Sequence, residues 1–152
     1  MGFALPAAVG ARFASKDREV VAVIGDGCFQ MTIQELATIA QEDLPVKIII
    51  LNNNFLGMVR QWQQLFFQKR YSFVDLKNPD FVAVTKGFHV DAEKVDKYQD
   101  LDKALEACRA RLSPELVAVD VRLALDHLGS LTGDLHTEDI LEVLFNQFCI
   151  GK

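Results

Sequence analysis

The chain has 152 residues, of which half are hydrophobic and 24% charged, and carries a net charge of −5. That is enough chain for one domain with a real core. Interspersed acids and bases without a basic stripe exclude a nucleic-acid reader, and no apolar run approaches the ~18 residues of a membrane span.

The apolar opening, Met1 to Ala8, is unusual for a domain's own start and points to a piece of a longer chain. It does not have the basic segment and long apolar run of a signal peptide. Pro6 suits the first turn of a helix, and the small apolar run Ala7 to Ala14 predicts that this helix is buried. Arg18 to Ile24 (REVVAVI) is a continuous apolar strand of the kind covered on both faces. Thr32, followed three residues later by Glu35, predicts a capping box and a helix through Ile33, Leu36, Ala37 and Ala40, ended by Leu44-Pro45. Val46 to Leu51 (VKIIIL) is a second buried strand, closing on Asn52-Asn53-Asn54.

Gly57 to Phe67 has helical spacing in Met58, Trp62, Leu65 and Phe66, and 70–79 reads as loop. A short helix is expected from Asp80 to Lys86, ending at Gly87, and a short strand over Phe88 to Val90. Leu101 to Leu112 is amphipathic, with Leu101, Ala104, Leu105 and Cys108 on one face, and Leu116 to Val121 (LVAVDV) is a third strong strand. Thr137 to Cys149 has a capping pattern and reads as an amphipathic helix, placed at 137–148. Alternating strands and helices predict α/β architecture, a three-layer sandwich around a mainly parallel sheet. Cys28, Cys108 and Cys149 are an odd number without metal-ligand spacing, which fits a reducing, cytoplasmic setting. His89, His127 and His136 read as surface residues.

Ligands of such sheets bind at the carboxyl ends of the strands. Gly25-Asp26-Gly27 and Asn52-Asn53 both sit there, one β-α-β unit apart. Aspartate, asparagine and a nearby backbone carbonyl are oxygen ligands suited to Mg2+, which keeps few protein ligands and shares phosphates. Glycines let the backbone approach a ligand, and the amides of Gly27, Cys28 and Phe29 could donate to phosphate. Each motif alone is ordinary turn chemistry; their combination at one β-α-β spacing favours a metal–diphosphate site. Neither a GxGxxG nor a P-loop is present.

GDG followed by NN resembles the thiamine diphosphate motif. The stretches MGFALPAAVGA (1–11), GDGCFQMTIQELAT (25–38), PVKIIILNNNFLGMVRQWQQLFF (45–67), RYS (70–72) and NPDF (78–81) resemble, more specifically, the catalytic large subunit of acetolactate synthases. The resemblance implies the thiamine diphosphate-binding domain over 1–121, N-terminally truncated, with 122–152 a tail of uncertain origin.

It implies that Asp26 and Asn53 bind Mg2+ through their side chains and Phe55 through its carbonyl. Gly25, Gly27 and Cys28 would hold the diphosphate, with Gly57 in the same cofactor loop. Met1 would lie under the cofactor's thiazolium ring and Met58 beside it. Trp62 would favour 2-ketobutyrate as second substrate, and Met58, Val59, Trp62 and Phe66 would line the substrate channel. The alternative for Met58, Trp62 and Phe66 is a helical core stripe, and the exposure of Trp62 tests it. Cys28 also reads as a small filler.

The implied activity joins two pyruvates, or pyruvate and 2-ketobutyrate, with loss of CO2. The implied surroundings are the remaining domains of the large subunit, a homo-oligomer, a regulatory small subunit, and FAD bound mostly outside this chain. The activating glutamate belongs to another domain, so no catalytic residue is expected here and the chain alone is expected to be inactive. Two alternatives stay open: another thiamine diphosphate-dependent 2-oxo acid decarboxylase or oxidase, and a non-catalytic interaction protein that keeps the fold.

Overall fold

The computed structural model describes residues 1–120 apart from residue 112. The expected tail helix at 137–148, His127, His136 and Cys149 lie outside the described residues.

Four strands form one parallel sheet: β1 (Val20–Gly25), β2 (Val46–Asn52), β3 (Asp91–Val95) and β4 (Glu115–Asp120), in the order β1-β2-β4-β3. Side chains alternate across a strand, and β2 shows why its sequence is apolar throughout. Ile48 and Ile50 pack on one face with Leu5, Phe29, Leu36, Ile39 and Phe81. Ile49 packs on the other face with Leu101, Leu105 and Cys108. Helices α1 (Ala4–Ala14), α2 (Asp26–Gln30), α3 (Glu35–Gln41) and α5 (Phe81–Gly87) supply the first layer, and α6 (Leu101–Ala110) the second. The result is the expected three-layer α/β arrangement. The predicted buried face of α6 is the observed one.

The lysine inside β2 has a specific partner set. Lys47 is buried, and its Nζ donates to the Arg111 and Ser113 carbonyls at 2.6 and 2.8 Å. It thereby fastens the turn between α6 and β4 to the central strand, which satisfies a cation that burial alone would disfavour.

Three local expectations are corrected. The capping box at Thr32 does not form, because the Glu35 N–H donates to the Thr32 carbonyl at 3.0 Å and the Thr32 hydroxyl is left buried without a partner. The helix instead begins directly at Asp26, after Gly25 in extended conformation, and α3 starts only at Glu35. The strand expected at 88–90 is a helix end: His89 adopts φ 63°, and the Phe88 and His89 N–H groups bond back to the Thr85 and Lys86 carbonyls. The true strand is β3, DAEKV, a polar edge strand of the kind that blunts an exposed sheet rim.

Candidate functional site

β1 and β2 are neighbours in parallel register, with Gly25 opposite Leu51, so their carboxyl ends open side by side. Asp26, the first residue of α2, is only 1% exposed. Its Oδ1 accepts from the Gly27 N–H at 2.9 Å. Its Oδ2 accepts from the Asn54 N–H at 2.7 Å and from Asn78 Nδ2 at 2.6 Å. Among the described residues no ion pair involves this carboxylate.

The loop after β2 is held from both sides. Asn53 Oδ1 accepts from the Phe55 N–H at 3.0 Å, and Asn54 takes φ 59°, a conformation asparagine tolerates. The loop then pairs with 74–76: Leu56 N–H donates to the Val74 carbonyl and Leu76 N–H to the Asn54 carbonyl, both at 2.8 Å. Gly27 packs beneath this pairing. A Cβ there would meet Leu56 Cδ2 at 2.7 Å and Leu76 Cδ1 at 3.0 Å, so any larger residue would push these two leucine side-chain ends aside. A Cβ on Gly25 would meet nothing within 4 Å.

A cleft of about 260 Å³ opens at these strand ends. Met1, Gly25 to Cys28, Asn53, Phe55 and Gly57 to Val59 line it, so ten of the residues singled out from the sequence share one cavity. Leu51 and Leu56 line it too and were not anticipated. Trp62 and Phe66 are not among the lining residues. They lie further along α4 (Gly57–Phe66), 58% and 66% exposed, with ring centroids 5.2 Å apart. No residue of α4 is buried, so the core-stripe alternative for Met58, Trp62 and Phe66 fails. Arg60 ties the helix down, with its guanidinium 3.9 Å from the Phe55 ring centroid and 4.8 Å from that of Tyr71. Gln63 adds a reciprocal pair, donating to the Ser72 carbonyl and accepting from its N–H.

The chemistry of the cleft follows from its donors. Among the described residues no group of three or more His, Cys, Asp or Glu side chains is arranged to hold a metal ion. What the cleft offers is one buried carboxylate, without a cationic partner among the described residues, plus the amide oxygen of Asn53. An all-oxygen set of this size fits a hard divalent cation that takes its other ligands from phosphate, water or the backbone. One expected phosphate donor is already engaged, since the Gly27 N–H serves Asp26. Asn78 was missed by sequence reading. It falls in a loop, and its partners lie up to 52 positions away, beyond any local pattern.

Residues 1–121 match the family described as thiamine pyrophosphate enzyme, C-terminal TPP binding domain. The acetolactate synthase large subunit of Parasynechococcus marenigrum is 46% identical over 124 residues, which is 80% of this chain and 20% of that protein. The acetolactate synthase isozyme 2 large subunit of Escherichia coli is 45% identical over 122 residues, 80% of this chain and 22% of that protein. Among solved structures, the thiamine diphosphate-dependent 4-hydroxybenzoylformate decarboxylase of Rhodococcus jostii RHA1 superposes with a TM-score of 0.74 at 38% identity, covering 79% of this chain and 23% of that one. The chain thus spans about a fifth of the length of the curated relatives it matches. By sequence, fold and the placement of its strand-end loops, the chain belongs to the thiamine pyrophosphate enzyme family and carries its C-terminal TPP-binding domain.

Proposed function

We propose that this chain is the cofactor-anchoring part of a cytoplasmic, thiamine diphosphate- and Mg2+-dependent acetolactate synthase. The single observation that carries the reading is the cleft, where Asp26 and Asn53 meet a glycine-lined wall at two neighbouring strand ends. The identity of 45% and 46% to acetolactate synthase large subunits supports that activity.

When bound, thiamine diphosphate supplies the electron sink that lets one 2-oxo acid lose CO2 and its two-carbon remainder join a second. The chain's own residues bind and orient. Asp26, Asn53 and the Phe55 carbonyl hold Mg2+, which offsets the repulsion between the Asp26 carboxylate and the diphosphate. Gly25, Gly27, Cys28 and Gly57 keep the backbone close to the diphosphate. Met1 and Met58, which line the cleft, would contact the cofactor ring, and Val59, Trp62 and Phe66 would face the path of the 2-oxo acids. In this reading the activating glutamate, most of the FAD site, a second large subunit and a regulatory small subunit belong to the rest of the assembly.

Given pyruvate, the whole enzyme is expected to make acetolactate, and acetohydroxybutyrate when 2-ketobutyrate is added. The 152-residue chain alone is expected to show no turnover. Acetaldehyde as the main product of the whole enzyme would instead favour a decarboxylase, the activity named for the Rhodococcus structure. Turnover by the isolated chain would overturn the division of labour.

Trp62→Ala separates the channel role from a structural one. Because Trp62 is largely exposed, stability should change by no more than about 0.5 kcal/mol. The preference for 2-ketobutyrate over pyruvate, read by product ratio in competition, should fall about tenfold, the scale on which a pocket discriminates one methylene. An unchanged ratio removes Trp62 from the substrate path.

A further inference from the structure

Asn78 precedes Pro79 in the loop between α4 and α5, and its side chain joins four others. Its Nδ2 donates to Asp26 Oδ2 and Asn52 Oδ1, each at 2.6 Å, and to Asn54 Oδ1 at 3.1 Å. Its Oδ1 accepts from Gln30 Nε2, at the end of α2, at 2.6 Å. A carboxylate only accepts, so the Asn78 nitrogen, not its oxygen, must face Asp26. Gln30 then holds the opposite end of the amide. The side chain is locked in one orientation by its neighbours.

That lock decides which Asp26 oxygen is available. Oδ2 already takes two hydrogen bonds, from the Asn54 N–H and from Asn78, whereas Oδ1 takes one, from Gly27. We infer that Asn78 is a positioning residue that ties down Oδ2 and so presents Oδ1 of Asp26 to a divalent cation in the cleft. The inference rests on the metal–diphosphate reading of that cleft. The residue type matters. A lysine or arginine at 78 would neutralise the carboxylate and compete with the cation. An aspartate would set like charges against each other. A neutral amide orients the ligand and leaves its full charge for the metal, as outer-shell partners of metal-ligating carboxylates do.

The test uses Mn2+ in place of Mg2+, titrated into the intact protein at saturating thiamine diphosphate and followed by electron paramagnetic resonance. Asn78→Ala is expected to weaken Mn2+ binding about 10- to 100-fold and to alter the spectrum of the bound ion. Gln30→Leu, which keeps Asn78 but removes its holder, is expected to weaken binding several-fold in the same direction. A purely structural role would lower the melting temperature and leave the Mn2+ affinity unmoved. Affinity within about twofold of wild type in both variants overturns the inference. If Asn78→Ala does not fold, unchanged affinity in Gln30→Leu does so. If the wild-type protein itself takes up no Mn2+, the cleft reading fails and the positioning role falls with it, a result distinct from one confined to the variants.

Discussion

Asp26→Ala is expected to abolish Mg2+-dependent binding of thiamine diphosphate, measured by calorimetry on the whole enzyme with and without the metal. Removing an outer-shell partner typically costs 10- to 100-fold in metal affinity, and loss of a ligand itself should exceed about 100-fold. The carboxylate is buried, and among the described residues lining the cleft Asp26 is the one acid, so none of them could replace it. The substitution also leaves the Gly27 and Asn54 N–H groups without that acceptor, while Asn78 Nδ2 keeps Asn52 and Asn54. Buried donors left unpaired cost about 1–3 kcal/mol each, so some loss of stability should accompany the loss of binding. Asp26→Asn separates the two effects: it keeps the shape and one acceptor oxygen and removes the charge. Binding that survives in both variants refutes the site.

Phe29→Ala should bring the largest loss of stability, about 3–5 kcal/mol by denaturant unfolding, against a total of about 5–15 kcal/mol for a domain. Phe29 is fully buried in the larger of the two core clusters. It meets Phe81 edge-on, with centroids 5.5 Å apart and an interplanar angle of 83°, a geometry that adds to simple burial. The residue lies one turn after Asp26 in a five-residue helix, and it pins that helix to the sheet and to α5. The cavity therefore opens directly beneath the cleft. Phe29→Leu, which keeps most of the apolar volume, should lose less than about half as much. A near-neutral Phe29→Ala would mean that α2 is anchored elsewhere.

Much of the frame was legible because its signals are local. REVVAVI and VKIIIL carry continuous apolar runs, which only a sheet covered on both faces requires, and GDG and NN sit where each run stops. The pairing of those two motifs in one cleft followed from one β-α-β spacing. The edge strand DAEKV was hidden because three of its five residues are charged and its apolar positions, Ala92 and Val95, break strict alternation. The apparent capping box failed because the backbone satisfied itself first. The helical stripe of Met58, Trp62 and Phe66 revealed an amphipathic helix, but periodicity cannot say what the apolar side faces, and here it faces outward. Asn78 was beyond reach because its role exists only once distant loops have met.

The outward-facing α4 makes the two sides of the cleft mechanically unequal. Unwinding this helix would expose little new apolar surface, since none of its residues is buried, so its local opening costs far less than global unfolding. It nonetheless begins with Gly57, Met58 and Val59, one side of the cleft. The other side is tied to the loop after β2 through Asp26 and to the sheet core through the packing of Phe29. A molecule entering the cleft meets one stiff wall and one compliant wall. Its grip on the compliant one is written into how slowly the amides from Gly57 to Phe66 exchange with solvent.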